Sequence, residues 1–130
     1  MYPIKISSTS DRYRQDIRIN DKFNLTADEP LDLGGTDAGA TPVELLMAAL
    51  GSCTAMTMQM YAERKEWELE RVEVDIAHQK IDRKYHIDLR LHLAGNLTEE
   101  QKQRLLEISY FCPVHKLLKS EAKIETILAD

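Results

Sequence analysis

Two cysteines, Cys53 and Cys112, are the side chains of this 130-residue chain best suited to chemistry. Cys53 lies among small and apolar residues, where a thiol usually acts as a small hydrophobe. Cys112 precedes Pro113, and proline favours the first position of a helix, so Cys112 is the predicted N-cap. The positive end of a helix lowers a thiol's pKa and favours the thiolate. Together the two cysteines could form a redox couple, in which one thiol attacks and the other resolves.

A zinc site is the competing interpretation of the cysteines. Neither cysteine has a CxxC partner, and zinc would need two further ligands. His115 follows Cys112 by three residues and could supply one ligand. His78, His86 and His92 lie on predicted strands, where a solvated polar face explains them better. We therefore expect no metal site and no other cofactor.

Composition sets the class of protein. The chain has 17 Lys and Arg against 22 Asp and Glu, with 43% hydrophobic and 30% charged residues, which is typical of one soluble globular domain, here residues 1–130. The net charge of −5 argues against nucleic-acid partners and membrane surfaces, because both favour a basic face. Residues 1–5 do not resemble a signal peptide, and residues 45–62 are too polar for a membrane span. We expect a cytoplasmic protein, in which a structural disulfide would be unusual.

A long helix is predicted to carry Cys53. Thr41 is its expected N-cap, Pro42 suits its first position, and the charge of Glu44 complements the helix dipole. The helix should run to about Lys65, yet residues 45–61 contain no charged side chain. A helix that is apolar all round must be buried. A chain of this size has little material to cover it, so the pattern predicts an oligomer.

The other elements indicate an α+β fold with an antiparallel sheet packed on this central helix. Asn20-Asp21 is a turn pair between the first two predicted strands, which form a hairpin. Thr98 and Gln101 form a capping box for a second helix, and Pro113 begins a third. The predicted strands alternate apolar and polar residues or lie in β-rich segments: residues 13–19, 22–27, 71–78, 85–93 and 123–128.

Three segments resemble the OsmC/Ohr family. Residues 42–54 (PVELLMAALGSCT) are similar to its first-cysteine helix, and residues 111–116 (FCPVHK) are similar to its second-cysteine motif. A loop of one OsmC-like subgroup resembles residues 27–30 (ADEP) and 34–37 (GGTD). The element order agrees as well, so the resemblance extends over nearly the whole chain.

This resemblance implies an OsmC-like fold in an intertwined homodimer, with the two central helices back to back. It also implies a thiol peroxidase that reduces organic hydroperoxides and takes electrons from a dithiol, which is of the lipoyl type in the characterised branch of the family, without metal, haem or flavin. Cys53 would be the peroxidatic thiol and Cys112 the resolving one. The helix-end argument favours Cys112 as the more acidic thiol; we follow the resemblance and expect Cys53 to attack.

The resemblance further implies an arginine that stabilises the attacking thiolate and a glutamate that holds the arginine. Arg14 in the hairpin is the candidate, ahead of Arg12 and Arg18. In peroxidase members the glutamate directly follows the proline at the helix start, where this chain has Val43. Glu44 comes one residue later, about 100° further around the helix, which puts the arginine–glutamate pair in question.

Two alternatives from other functional classes stay open. A dimeric module could bind a small apolar ligand without turnover, using the adaptable methionines of the helix. A redox sensor could change the shape of the dimer when a disulfide forms. The distance between the sulfurs and the presence of an arginine near Cys53 would separate these possibilities.

Overall fold

The computed structural model of the chain describes residues 2–129. It divides into two compact units, one ending at Ala48 and the other beginning at Ala49. The helix α1 (Pro42–Arg64) begins in the first unit and belongs mostly to the second. Helices combine with two antiparallel sheets, which confirms the predicted α+β class.

The first unit contains a three-stranded antiparallel sheet in the order β1 (Ile4–Ser8), β2 (Gln15–Ile19) and β3 (Phe23–Ala27). The predicted hairpin is present as β2 and β3. Asn20 and Asp21 both have positive φ, and the N–H of Lys22 donates to the carbonyl of Ile19, as in a type I′ turn. Strand β1 adds an edge that the sequence analysis did not delimit.

A buried carboxylate, Asp28, organises the loop between β3 and α1. It accepts hydrogen bonds from the backbone N–H groups of Glu29, Thr36 and Ala38. It also accepts one from the Thr36 hydroxyl. The hydroxyl is the largest cause that lowers the pKa of Asp28 from its ordinary 3.8 to about 2, since hydrogen bonds to the charged form favour it. The ionised Asp28 carboxylate therefore holds the loop through these hydrogen bonds.

The second unit contains a long antiparallel hairpin of β4 (Glu68–Ile81) and β5 (Lys84–Asn96). Asp82 and Arg83 both have positive φ and connect the paired residues Ile81 and Lys84. Both strands extend beyond the predicted residues 71–78 and 85–93. Backbone pairing continues past the point where the apolar alternation ends, so the sequence pattern underestimated their length.

The core of the second unit lies between α1, the hairpin and α2 (Glu99–Ser109). Met58, Ala62 and Leu105 form its fully buried centre. Partly buried side chains pack around this centre: Tyr61, Trp67, Leu69, Val72, Leu91, Leu93 and Leu97. This packing of sheet on helix is the predicted arrangement.

One face of α1 is buried and another is exposed. Leu50, Thr54, Met58 and Ala62 recur every four residues and are buried, which is the spacing of one helix face. Away from that stripe, Met56 and Met60 are 56% and 61% exposed. The absence of a charged face between residues 45 and 61 thus leaves apolar side chains uncovered within this chain.

The sequence analysis also predicted α2, α3 and a closing strand. The capping box of Thr98 and Gln101 is present, and α3 (Pro113–Lys119) begins as expected. The prediction of a strand at residues 123–128 is wrong, because the segment has no regular structure. Its apolar side chains Ile124, Ile127 and Leu128 are 84%, 81% and 94% exposed. No described strand pairs with it, and β-propensity without a partner does not make a strand. None of the helices in residues 2–129 is long and apolar enough to cross a membrane.

Candidate functional site

Cys53 lies in the middle of α1 and is partly buried. Two residues earlier, Gly51 allows the helix to lie close to the sheet, because a Cβ there would come within 2.9 Å of the Ile76 Cδ1. One turn later, the Thr57 hydroxyl donates a hydrogen bond of 2.8 Å to the Cys53 carbonyl. The close approach of helix and sheet therefore fixes the backbone that carries this thiol.

Cys112 is fully buried and is the N-cap of α3. Its backbone is extended, and its sulfur accepts a hydrogen bond of 3.4 Å from the N–H of His115. Pro113 occupies the first helical position, as the sequence analysis predicted. The capping thiol thus faces backbone N–H groups that a helix leaves without partners at its start.

The fold brings the two thiols together, and each is free of a disulfide. Burial raises the pKa of Cys53, and a hydrogen bond donated to Cys112 raises it further. Burial also opposes ionisation of Cys112, but hydrogen bonds from Cys53, from the N–H groups of His115 and Val114 and from the Thr54 hydroxyl outweigh it and lower its pKa. The two pKa shifts therefore have opposite directions, upward for Cys53 and downward for Cys112.

Cys53 is the more solvent-exposed thiol, whereas Cys112 has the lower pKa. The more acidic sulfur, Cys112, is shielded from solvent, whereas Cys53 is partly exposed. The lowered pKa of Cys112 has the direction that the helix-end argument predicted, but Cys53 lowers it more than the N–H groups at the start of α3 do. Of the two thiols, Cys53 is therefore the one with solvent exposure in this chain.

Arg14 belongs to the first unit and lies just before β2. Its guanidinium forms ion pairs with Asp11 at 3.7 Å and with Asp16 at 3.6 Å. The Nε atom is buried and has no hydrogen-bond acceptor among the described residues. Of the other candidates, Arg12 lies over the Tyr13 ring, and Arg18 binds Asn24 and Asp21.

Glu44 also belongs to the first unit, in the first turn of α1. Its carboxylate accepts the N–H of Thr41 at 2.9 Å, and the Thr41 hydroxyl accepts the N–H of Glu44 at 3.2 Å. This reciprocal pair is a capping box. Glu44 therefore has a structural role at the start of α1, as its position in the first turn indicated; its predicted catalytic role stays a prediction.

Two threonines near the sulfurs were missed by the sequence analysis. Thr54 and Thr57 each donate a hydrogen bond of 2.8 Å to the carbonyl four residues earlier. Thr57 acts on Cys53 and Thr54 acts on Cys112, lowering the pKa in both cases. The spacing of Thr57 one turn after Cys53 was a visible signal, because residues i and i+4 share a helix face.

The residues around the thiols do not form a metal site. Within residues 2–129, no three His, Cys, Asp or Glu side chains converge as metal ligands. The chemistry that this arrangement can perform is that of a dithiol: thiolate attack followed by disulfide formation.

Comparison with known proteins identifies the family. The sequence model of the OsmC-like protein family matches residues 35–127, which include both cysteines. A comparison with curated proteins finds no significant match.

Several solved structures share the fold. An OsmC-like protein from Mycoplasma pneumoniae is 19% identical, with a TM-score of 0.76 over 92% of this chain and 87% of that one. The organic hydroperoxide resistance protein OhrB of Bacillus subtilis is 21% identical, with a TM-score of 0.60 over 91% of each chain. An organic hydroperoxide resistance protein OsmC from Legionella pneumophila is 18% identical, with a TM-score of 0.65 over 92% of this chain and 90% of that one. The family match and the shared fold lead to one conclusion: this chain belongs to the OsmC-like protein family.

Proposed function

We propose that this chain is a thiol-dependent peroxidase that reduces organic hydroperoxides through Cys53 and Cys112. The observation that carries the proposal is the proximity of two free thiols, one partly exposed and one buried. The family match supports a peroxiredoxin-like role in oxidative stress. The organic hydroperoxide resistance proteins that share the fold support the substrate class.

The first step begins with the proton that the reduced pair shares. Transfer of this proton from Cys53 to Cys112 produces the Cys53 thiolate. The thiolate sulfur attacks the terminal oxygen of the hydroperoxide, the O–O bond breaks, and the alkoxide takes a proton from water and leaves as the alcohol. Cys53 is oxidised by two electrons to a sulfenic acid.

The second step uses Cys112 as the resolving thiol. Its sulfur attacks the sulfenic sulfur of Cys53, hydroxide leaves and takes the Cys112 proton as water, and a disulfide forms. A dithiol reductant, which the family resemblance suggests is of the lipoyl type, then exchanges with this disulfide. The reductant becomes a disulfide and both protein thiols are restored.

The burial of Cys112 suits this order. A shielded thiol does not meet bulk hydroperoxide, so overoxidation is confined to Cys53. The fold keeps the two sulfurs close together before the reaction, so resolution does not wait for a diffusive encounter. Arg14 and Glu44 keep the supporting roles that the family resemblance suggests, and Arg14→Lys tests the first of them.

The proposal includes a homodimer. Support comes from the exposed apolar side chains of α1, including Met56 and Met60, because uncovered apolar surface of this kind marks an interaction site. The predicted cytoplasmic location is a reducing compartment, which suits a thiol enzyme.

The test is consumption of hydroperoxide by the reduced protein in the presence of dihydrolipoamide. We expect cumene hydroperoxide to be consumed catalytically and faster than hydrogen peroxide, and we expect Cys53→Ser to abolish the activity. If folded wild-type protein consumes neither hydroperoxide, the peroxidase proposal is wrong, and the ligand-binding and sensor alternatives take its place.

A further inference from the structure

A pocket of about 240 Å³ lies within the second unit, between α1, β5 and α3. Its walls are mainly apolar, with a histidine and a lysine on the α3 side. The lining residues are Leu50, Tyr85, Ile87, Leu89, His115, Leu118 and Lys119. An engineered cavity of about 150 Å³ holds benzene, so this pocket has room for one aromatic ring or a short alkyl chain.

The pocket is lined in part by the two helices that also carry the thiols. Leu50 precedes Cys53 by three residues, almost one turn of α1, so both lie on neighbouring parts of one face. On the other side, His115 lines the pocket, and its backbone N–H donates to the sulfur of Cys112. A molecule in this pocket would therefore contact α1 and α3, the two helices that carry the sulfurs.

The charge around the pocket is positive, although the chain has a net charge of −5. No lining residue is acidic, and α3 carries Lys116 and Lys119 in its last turn with no acid in its first. Among residues 2–129, no carboxylate forms an ion pair with Lys119. An anionic group on a bound molecule would find an ammonium that the chain itself leaves available.

We propose that Lys119 is a specificity-determining residue that selects carboxylate-bearing hydroperoxides, with the apolar body of the substrate in this pocket. The proposal rests on the proposed peroxidase function. The alternative is that Lys119 only complements the dipole at the end of α3, where a cation is favourable without any ligand. That role predicts no dependence on the charge of the substrate.

Lys116 provides a matched control. It lies on the same helix with the same charge, but its ammonium is over the Phe111 ring and it does not line the pocket. Lys116→Gln and Lys119→Gln therefore remove the same charge from α3, and only the second removes it from the pocket.

The kinetic test compares kcat/KM for a medium-chain hydroperoxy acid and for its methyl ester. A hydrogen-bonded contact to a charged group at a partly solvated site corresponds to roughly a fivefold to tenfold preference. We expect the wild type and Lys116→Gln to prefer the acid by this factor, Lys119→Gln to reduce the ratio to about one, and Lys119→Glu to invert it. A ratio that Lys119→Gln leaves unchanged, or that Lys116→Gln reduces equally, overturns the proposal.

A binding measurement separates this proposal from the proposed function. Octanoate is titrated into the reduced protein, with 1-octanol as the uncharged probe, and the methyl NMR signals of Ile87 and Leu118 are followed. We expect octanoate to shift both signals and to bind at least fivefold more weakly to Lys119→Gln. If the protein consumes no hydroperoxide but octanoate binds in this way, the peroxidase function fails and the carboxylate-selective pocket stands. Octanoate that binds equally to both proteins, or shifts neither signal, overturns the pocket.

Discussion

Substitution of Thr57 by valine tests whether the helix around Cys53 stabilises its thiolate. Valine keeps the branched shape of threonine and replaces the hydroxyl with a methyl group, which cannot form hydrogen bonds. In the resting protein that hydroxyl donates to the Cys53 carbonyl at 2.8 Å, and its contact with the sulfur lowers the pKa of Cys53. We expect Thr57→Val to raise the pKa of Cys53 and to slow every reaction of its thiolate.

The magnitude follows from the competition between the two acceptors. A hydrogen bond to a charged group contributes about 1.5–3 kcal/mol, and the carbonyl bond that the hydroxyl must give up contributes about 1 kcal/mol. A net loss of about 1 kcal/mol reduces the thiolate fraction about fivefold below the pKa. The more basic thiolate is about twofold more nucleophilic, so the observed rate should fall about twofold to threefold.

The assay is alkylation of the reduced protein by iodoacetamide as a function of pH, with the modified cysteine assigned by mass spectrometry. Thr54→Val is the matched control, because Thr54 makes the same bond to the carbonyl four residues earlier but acts on Cys112. It should leave the alkylation of Cys53 at least as fast as in the wild type. A Thr57→Val protein with an unchanged Cys53 rate, together with a slowed Thr54→Val protein, would refute the assignment of the two hydroxyls.

Three further predictions concern stability and assembly. The pKa of Asp28 is about 2 in the folded chain and ordinarily 3.8, so its contribution to stability is complete above about pH 4 and is lost as the pH falls towards 2. In thermal melts, Asp28→Asn should be less stable than the wild type at pH 7, and the two proteins should become equally stable in acid. Leu105→Ala removes a fully buried side chain and should cost about 3 kcal/mol in urea unfolding, whereas Leu106→Ala at a more exposed position should cost less than about 1 kcal/mol. Light scattering at micromolar concentration should give a dimer mass, and a monomer mass for the wild type contradicts the homodimer. Ala49 is exposed within the single chain; Ala49→Arg should yield largely insoluble protein because it would place an unpaired charge in the proposed interface.

Local rules predicted the elements that local chemistry determines. The capping box of Thr98 and Gln101 and the start of α3 at Pro113 follow from side chains within one turn of the helix end. Thr41 and Glu44 show the same spacing, and their reciprocal hydrogen bonds form a capping box at the start of α1. For these residues, the nearby sequence is enough to predict where each helix begins.

Other features depend on partners that are distant in the chain. The extra length of β4 and β5 comes from backbone pairing across a turn at Asp82 and Arg83, which side-chain alternation does not report. Residues 123–128 contain apolar side chains but lack a paired strand, so propensity alone gave the wrong answer there. The contact of Cys53 with Cys112 joins a helix interior to a helix end; the presence of two cysteines suggested a redox couple, and the family resemblance assigned their roles.

The acidity of the two thiols shows how the local and the global arguments combine. The helix-end rule anticipated that the pKa of Cys112 is lowered, and the resemblance assigned the attack to Cys53. Both statements are compatible if Cys112 holds the first thiolate and accepts the proton of Cys53 during the reaction. The fold supplies the reason, since it shields the more acidic sulfur and exposes part of the other.

Trapping of the sulfenic acid tests the central claim most directly. Reduced Cys112→Ser protein is treated with one equivalent of cumene hydroperoxide in the presence of dimedone, and the adduct is located by mass spectrometry. The account predicts one turnover, with a dimedone adduct on Cys53, whereas Cys53→Ser should consume no hydroperoxide above background. An adduct on Cys112 of the Cys53→Ser protein, with no adduct on Cys53 of the Cys112→Ser protein, would reverse the roles of the two thiols and contradict the account.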